Sequence, residues 1–308
     1  MAGVKAQHSG AVAGTSAPRP PWLKVRFRAT PEFEAVQQTI EREQLHTVCA
    51  SAACPNLGEC WARGTATFMI GGNRCTRRCG FCDVVTGRPA PLDPLEPERV
   101  ARAVESLKLA FAVVTAVARD DLADGGAAHM AATVRAIRRH CPLTGVEVLI
   151  PDYKGERAAL FCVLDAMPDV LNHNIETVER LQRPVRKAAR YDRSLELLRR
   201  AGELRPEIPT KTGIMLGLGE SDAEVEQTLR DLRTVGVTLL TIGQYLRPSP
   251  EHLPVACYVP PEEFRAWEER ARALGFRDVA AGPLVRSSYH AEKLARLAHQ
   301  PAAADVLR

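Results

Sequence analysis

The sequence predicts an α/β protein built on an incomplete parallel (β/α)6 barrel with N-terminal and C-terminal extensions. After residue 65, six apolar runs alternate with six amphipathic stretches, and such alternation gives parallel strands with right-handed crossovers. Polar or glycine-rich residues follow several runs, as expected where the carboxyl ends of barrel strands carry a site. The predicted strands are 66–71, 110–117, 146–151, 170–175, 211–217 and 237–243. The predicted helices lie near 98–107, 127–139, 155–166, 191–202, 221–235 and 262–274.

Composition and charge exclude several classes of protein. Of the 308 residues, 45% are hydrophobic and 25% are charged, as in ordinary soluble globular proteins. The net charge of +4 is too small to indicate a nucleic-acid partner. The longest apolar stretch, 109–118, is about half the length of a membrane-spanning helix, so no membrane is expected as a partner. Nine cysteines without a secretion signal indicate a reducing, cytoplasmic location and metal chemistry.

The first two parts of the chain precede the barrel. Residues 1–21 are rich in Gly, Ala, Ser and Pro and are predicted to form a disordered tail. An N-terminal extension, 22–64, follows with an extended arm and a short amphipathic helix over 33–45. It carries three cysteines in a C-x4-C-x5-C spacing, Cys49, Cys54 and Cys60. Alone, this spacing is also compatible with a zinc knuckle or scattered core cysteines, but beside a first cluster motif it favours a second cluster.

That first motif lies at the start of the predicted barrel, 65–275. The first strand ends at a pair of glycines, and the loop beyond it carries Cys75, Cys79 and Cys82 in a C-x3-C-x2-C spacing. Three thiolates suit three corners of a 4Fe–4S cube and leave the fourth iron free to bind a small molecule. Zinc fits less well, because zinc sites usually pair two C-x2-C knuckles. The arginines of the loop are expected to lower the thiol pKa values: Arg74, Arg77 and Arg78.

Polar residues at the ends of the later strands are the candidates for cofactor binding. They are Asp124, Gly125, Gly126, Asn172, Glu176, Lys211 and Gln244. Each has a plainer alternative: the glycine pair can form a turn, and Asp124 can cap the following helix. His173, between apolar residues, is more typical of a core histidine than of a ligand. Because the candidates share one rim of the barrel, we favour a site.

The C-terminal extension, 276–308, contains the sequence GPLVRSSYHA, followed by a predicted helix over 290–299. Two serines directly before a helix, Ser287 and Ser288, are by chemistry alone typical of helix N-caps.

The loop spacing resembles that of the radical S-adenosylmethionine superfamily, and the whole of 45–295 resembles the lipoyl synthases. The resemblance rests on CPNLGECW, CTRRCGFC, VVTAVARDDLADGGAAH, VEVLIPD, PDVLNHNIETVERL, KTGIMLGLGE, TIGQYLRPS and GPLVRSSYHA. It implies two 4Fe–4S clusters and S-adenosylmethionine as cofactors. It also implies an auxiliary cluster on the N-terminal cysteines, with a serine of RSSY as fourth ligand: Ser288, or Ser287 as the fallback. Ala53 departs from the pattern, which has a basic residue before Cys-Pro-Asn.

The implied reaction is the insertion of two sulfur atoms at carbons six and eight of a protein-bound octanoyl chain. S-adenosylmethionine is cleaved reductively at the loop cysteines, and the resulting radical abstracts hydrogen, because no side chain can deprotonate an unactivated C–H bond. The auxiliary cluster supplies the sulfur. The implied catalytic residues are Cys75, Cys79, Cys82 and Ser288. The implied partners are octanoylated lipoyl-carrier domains or proteins and a reducing electron donor.

Three other functions stay open at this point. A two-cluster electron carrier would need neither a six-unit barrel nor a polar rim. A zinc-stabilised interaction protein would contain no iron or sulfide. Another sulfur-inserting radical enzyme, such as a biotin synthase, is not expected to combine the N-terminal cysteines with RSSY.

Overall fold

One eight-stranded sheet organises the protein, and its strands follow one another in chain order. The structure is a computed structural model that describes residues 18–25, 30–52, 54–63, 66–288 and 291. The strands are β1 His46–Thr47, β2 Thr67–Ile70, β3 Phe111–Ala116, β4 Gly145–Leu149, β5 Val170–Asn172, β6 Thr210–Leu216, β7 Leu239–Gln244 and β8 Asp278–Gly282. From β2 to β8 every neighbouring pair is parallel, whereas β1 is antiparallel to β2. Since β1 and β8 form the two edges, the described sheet is open, as an incomplete barrel requires.

Helices connect the parallel strands and cover the outside of the sheet. They are α1 Pro31–Arg42, α2 Val48–Ser51, α3 Leu57–Ala62, α4 Glu96–Ser106, α5 Ala127–His140, α6 Arg157–Asp165, α7 Gln182–Val185, α8 Tyr191–Leu204, α9 Asp222–Thr234 and α10 Pro261–Ala273. Two large clusters of buried apolar side chains lie beneath them, one around β2 to β5 and one around β6 to β8. Among the described residues, no helix is long and apolar enough to cross a membrane.

The predicted α/β fold is confirmed, since all six predicted strands and the six predicted barrel helices are present. The sheet nevertheless continues beyond the predicted six units. Strand β8 pairs with β7 from Leu239↔Asp278 to Gly243↔Gly282, inside the segment that we expected to be an extension. Its sequence, Asp-Val-Ala-Ala-Gly, has little β-propensity, so only the pairing with β7 makes it a strand.

Three expectations fall wholly or partly on residues that the structure does not describe. Residues 1–17 of the predicted tail and Ala53 lie outside the described residues, and so does the predicted helix over 290–299 except for Ala291. Within the rest of the predicted tail and the start of the arm, Pro21–Leu23 forms a short 3₁₀ helix.

Candidate functional site

A cavity of about 620 Å³ brings the two cysteine groups together. Its lining includes residues at or just beyond the carboxyl ends of β3 to β7, such as Val117, Ile150, Asn174 and Gln244. The cysteines and serines that line it are Cys49, Cys54, Cys60, Cys75, Cys79, Cys82, Ser287 and Ser288. Cofactor sites in proteins commonly have volumes of about 300–1,000 Å³, so this cavity can hold a cofactor together with part of a substrate.

The loop with Cys75, Cys79 and Cys82 (hereafter the loop cysteines) is folded back on itself at the end of β2. Gly71 and Gly72 turn the chain with φ of 80° and 96°, a conformation that glycine adopts without strain. The Cys75 amide donates to the Val85 carbonyl at 2.9 Å, and the Cys82 amide donates to the Cys79 carbonyl at 3.2 Å. These bonds fix the thiols on one short, ordered loop.

Arg77, in the middle of this loop, attaches it to the ends of β3 and β4. Its guanidinium donates to both carboxylate oxygens of Asp120, at 2.7 and 2.8 Å, and to Asp152 Oδ1 at 2.6 Å. Burial alone would raise the pKa of Asp152, but the hydrogen bond and the charge of Arg77, together with the Lys154 amide, outweigh burial and lower the pKa to about 2. The residues after Asp152, Tyr153 and Lys154, both have positive φ, so the turn that presents this carboxylate is strained.

The expectation that the loop arginines lower the thiol pKa values holds only for one contribution: Arg77 lowers the pKa of Cys79, but burial outweighs it. Burial raises the pKa of Cys79 to about 11 and that of Cys82 to about 12. Arg74 and Arg78 are exposed to solvent, and the charge of Arg77 is matched by two carboxylates. The strongest charge that opposes burial at Cys79 comes instead from a buried arginine after α7, Arg186.

Backbone hydrogen bonds also fix the N-terminal cysteines, Cys49, Cys54 and Cys60. The Cys54 amide donates to the Cys49 carbonyl at 3.1 Å, and the Cys60 amide donates to the Asn56 carbonyl at 2.8 Å. Burial, followed by the proximity of Cys49 and Cys54, raises the pKa of Cys60 to about 12. In the same way Cys79 and Cys75 raise the pKa of Cys82. Within each group the thiols are therefore close enough to raise one another's pKa values.

Ser287 and Ser288 line the same cavity as the N-terminal cysteines. Burial lowers the pKa of the preceding residue, Arg286, and both Cys54 and Glu176 are close enough to act in the opposite direction. Two residues earlier, the Leu284 carbonyl accepts a hydrogen bond from Asn56 Nδ2 at 2.6 Å. The C-terminal segment is thus bonded to Asn56, which lies between Cys54 and Cys60 in the chain.

Of the seven residues predicted to bind the cofactor, Glu176 and Gln244 line the cavity. Glu176 has a φ of 66°, burial raises its pKa, and its Oε1 accepts from Asn174 Nδ2 at 3.0 Å. Gln244 is occupied by the backbone: its Nε2 donates to Tyr245 and Cys257 carbonyls at 3.0 Å, and its Oε1 accepts from the Val259 amide at 2.8 Å.

Asn174 was missed by sequence reasoning, although it follows Asn172 at the alternating spacing of a strand. It lines the cavity, and its Oδ1 is buried without a hydrogen-bond partner among the described residues. A buried amide oxygen without a partner costs free energy, so it suits a donor on a bound molecule. His173, by contrast, is a satisfied core histidine, as the plainer interpretation held. Its Nδ1 contacts the Ile150 carbonyl, its Nε2 contacts Ser194 Oγ, and burial lowers its pKa to about 4.

Three of the predicted cofactor residues have contacts at the start of α5 instead. Asp124 accepts hydrogen bonds from the Gly126 and Ala128 amides, both at 2.9 Å, and so caps the helix. Gly125 and Gly126 have φ of 62° and 87°, and a Cβ on Gly125 would lie 2.9 Å from the ring of Tyr153. These contacts match the turn and the cap that were the alternatives, and a contact with the cofactor stays a prediction.

The remaining two, Asn172 and Lys211, form a buried ionic cluster inside the sheet. Lys211 Nζ lies 3.0 and 2.9 Å from the two carboxylate oxygens of Glu147, and Asn172 Nδ2 donates to the same Glu147 at 2.8 Å. The side chains of Lys211 and Glu147 are both 0% exposed. Such a pair is costly to break, because the charge left behind has no water and no partner.

Lys211→Met is therefore expected to lower the free energy of unfolding by about 3–5 kcal/mol. Denaturant unfolding of the metal-free chain measures this loss. The control is Lys211→Met combined with Glu147→Gln, which removes the unpaired charge, keeps an acceptor for Asn172, and should recover part of the stability. A stable Lys211→Met chain that no longer binds S-adenosylmethionine would instead make Lys211 a cofactor ligand.

Comparison with known proteins identifies relatives along nearly the whole chain. The family model described as the Radical SAM superfamily matches residues 69–232, more than half of the chain. A lipoyl synthase of Rubrobacter xylanophilus is 56% identical over 275 residues, which cover 89% of this chain and 86% of that protein. One from Acidithiobacillus ferrooxidans is 55% identical over 277 residues, covering 90% and 87%. The crystal structure of Streptococcus suis SuiB bound to S-adenosylmethionine has a similar fold, with a TM-score of 0.55, 12% identity, and coverage of 73% of this chain and 54% of that one.

Proposed function

Since the chain belongs to the lipoyl synthase family within the radical S-adenosylmethionine superfamily, we propose that its cavity is where sulfur enters a protein-bound octanoyl chain. Two sulfur atoms are inserted, at carbons six and eight, and form the lipoyl group. The observation that carries this proposal is the single cavity lined by both cysteine groups and by Ser288. An enzyme that only made a radical, or only carried electrons, would not need the second group to face the same cavity.

The residues present fit two 4Fe–4S clusters. All six cysteines are free thiols that line the same cavity, and each group of three lies on a hydrogen-bonded segment. Thiolates are the usual protein ligands of such clusters. The loop cysteines would hold the cluster that the superfamily implies, with S-adenosylmethionine at its fourth iron. The N-terminal cysteines with Ser288 would hold the auxiliary cluster.

The clusters and S-adenosylmethionine supply, when bound, the hydrogen-abstracting radical and the sulfur, which no side chain can supply. The chain's own task is to position the octanoyl carbons between the two groups and to keep water away. Apolar side chains of three strands line the cavity and suit an alkyl chain: Met69, Val113 and Met215. Glu176 and Asn174 offer an acceptor pair for the ammonium group or ribose hydroxyls of the cofactor, so we assign cofactor binding first to these two residues.

The partners follow from the reaction. The octanoyl chain arrives on a lipoyl-carrier domain, and a reducing electron donor must serve the loop cluster. The exposed Arg74 and Arg78, on the loop itself, favour an acidic carrier surface through charge steering. We propose a cytoplasmic location, because the nine cysteines are all free, as a reducing compartment keeps them.

The proposal is tested by anaerobic reconstitution with iron and sulfide, followed by mass analysis of an octanoyl-lysyl peptide. The expected product has gained two sulfur atoms, with one 5′-deoxyadenosine formed for each. Cleavage of S-adenosylmethionine without any sulfur in the peptide would indicate a different radical enzyme. A reconstituted chain that binds zinc but no iron would indicate the structural alternative.

Ser288→Ala separates the two interpretations of this serine. If Ser288 is the fourth ligand, sulfur insertion should fall steeply while 5′-deoxyadenosine still forms, because the loop cysteines are untouched. If it is a helix cap, stability should fall by about 1 kcal/mol and insertion should continue. We expect the first result, and Ser287→Ala is the matched control. Full lipoyl product from Ser288→Ala would return Ser288 to the capping role.

A further inference from the structure

The fourth auxiliary ligand belongs to a segment far from the other three along the chain. Residues 284–288, hereafter the serine segment, follow β8, whereas the N-terminal cysteines precede β2. Serine oxygen is a harder ligand than thiolate and is not the usual protein ligand of an iron–sulfur cluster. The chain must therefore hold the serine in place by contacts other than the bond to iron.

Asn56 makes the first such contact. It stands at the N-cap of α3, where an Asn side chain ordinarily accepts a hydrogen bond from its own helix, yet it makes no such bond. Its Nδ2 donates instead to the Leu284 carbonyl at 2.6 Å, across 228 residues of chain. Asn56 is only 2% exposed, so water cannot easily replace this bond.

The backbone of Asn56 meanwhile holds one of the cysteines. Its carbonyl accepts from the Cys60 amide at 2.8 Å, and the next amide, that of Leu57, donates to the Cys54 carbonyl at 3.2 Å. One residue therefore fixes the geometry of the N-terminal cysteines with its backbone and that of the serine segment with its side chain.

Gly243 provides the second contact, from the end of β7. A Cβ at this position would overlap the Val285 carbonyl oxygen and would lie 3.3 Å from Arg286 Nη1. The Val285 amide also donates to the Gly282 carbonyl at 3.1 Å, so the serine segment turns tightly back over β7. The Val285 carbonyl therefore occupies the space that a side chain at position 243 would fill.

We propose that Asn56 and Gly243 are positioning residues that together seat the serine segment, so that Ser288 faces the N-terminal cysteines as fourth ligand. This inference rests on the proposed function, because it presupposes an auxiliary cluster at these residues. Neither residue touches the reacting atoms; each acts through the placement of Ser288.

The test measures how firmly the auxiliary site holds iron, independently of activity. The parent is the full chain with Cys75, Cys79 and Cys82 replaced by alanine, reconstituted anaerobically so that iron is held at the auxiliary site alone. The rate of iron release to a colorimetric chelator is followed for the parent and for Ser288→Ala, Asn56→Asp and Gly243→Ala in the same background. Asn56→Asp keeps the shape of the side chain but replaces the donor with an acceptor that the Leu284 carbonyl repels.

Both positioning variants are expected to release iron about 10-fold to 100-fold faster than the parent, as outer-shell changes at metal sites do. Ser288→Ala with Asn56→Asp should be no faster than Ser288→Ala alone, because the two changes remove the same ligand contact. Gly202→Ala, which adds a methyl group in open space on α8, is the matched glycine control and should behave as the parent. The melting temperatures of the metal-free chains show whether any variant is misfolded. If Gly243→Ala is misfolded, the comparison of Asn56→Asp with the parent is still a test of the proposal.

Three results would contradict the inference. Slow, parent-like iron release from Asn56→Asp, with fast release from Ser288→Ala, would refute the positioning role of Asn56. It would leave Ser288 as the fourth ligand. Additive effects of Asn56→Asp and Ser288→Ala would show that Asn56 acts on the cysteines alone. Parent-like iron release from Ser288→Ala itself would refute Ser288 as the fourth ligand. The proposed auxiliary site would then fail as a whole, and not only the positioning role of Asn56 and Gly243.

Discussion

Replacement of Cys75, Cys79 and Cys82 together by alanine is expected to abolish the cleavage of S-adenosylmethionine. A reconstituted chain with two cubes holds about eight irons, and the triple variant should hold about four. The loop itself should stay folded, because Arg77 ties it to Asp120 and Asp152 without help from the thiols. Iron analysis and the yield of 5′-deoxyadenosine under a strong reductant measure the two effects.

The chain offers a matched control, because three further free cysteines lie outside both groups: Cys141, Cys162 and Cys257. Their joint replacement by alanine removes as many thiols but should leave both the iron content and 5′-deoxyadenosine formation intact. Continued cleavage of S-adenosylmethionine by the loop variant would refute the assignment of the loop cysteines. An iron content near zero would instead show that the N-terminal cysteines cannot hold a cluster by themselves.

The alternation of strands and helices could be predicted because each element carries its own periodicity. Parallel strands covered by helices are largely apolar, and β2 and β3 are nearly continuous apolar runs. The two strands that were missed lack such a signal. Strand β1 has two residues, and β8 contains two alanines and a glycine, so both depend on a neighbouring strand that lies elsewhere in the chain.

The cysteine groups could be predicted for a similar reason, since their spacing is local. Position at a strand end was a weaker guide to cofactor residues, because a side chain there can face the cavity or can pack inside the sheet. It selected Glu176, which lines the cavity, but also Lys211, which pairs with Glu147. The signal for that pair was in the sequence: Glu147 interrupts an apolar strand, and a buried carboxylate needs a cation.

Contacts between distant parts of the chain could not be predicted from local patterns. Asn56 was one residue of CPNLGECW, and Arg77 was one of three loop arginines. The structure shows that Asn56 bonds to a carbonyl 228 residues away, and that Arg77 bonds to carboxylates 43 and 75 residues away. Only the folded sheet brings these partners together, so their roles appear only with the geometry.

Replacement of Cys49, Cys54 and Cys60 by alanine is expected to end sulfur insertion while 5′-deoxyadenosine still forms. The iron content should again fall to about four per chain, now with the remaining iron at the loop cysteines. The loop should stay folded without these cysteines, because it has hydrogen bonds to other parts of the chain, among them Val85, Val185, Asp120 and Asp152. Mass analysis of the octanoyl-lysyl peptide and assay of 5′-deoxyadenosine in one reaction measure both outcomes.

The two triple variants are thus expected to lose different steps of one reaction: the first loses S-adenosylmethionine cleavage, and the second loses sulfur insertion alone. Their comparison identifies the source of the sulfur. With the N-terminal cysteines replaced, radicals form but no sulfur is available to them, so the peptide should be recovered without sulfur. Sulfide added to that reaction should not restore the product, because free sulfide is not held between the octanoyl carbons and the radical source. Sulfur in the peptide from this variant would show that the auxiliary site is not the donor, and the second group of thiols facing the cavity would then need another explanation.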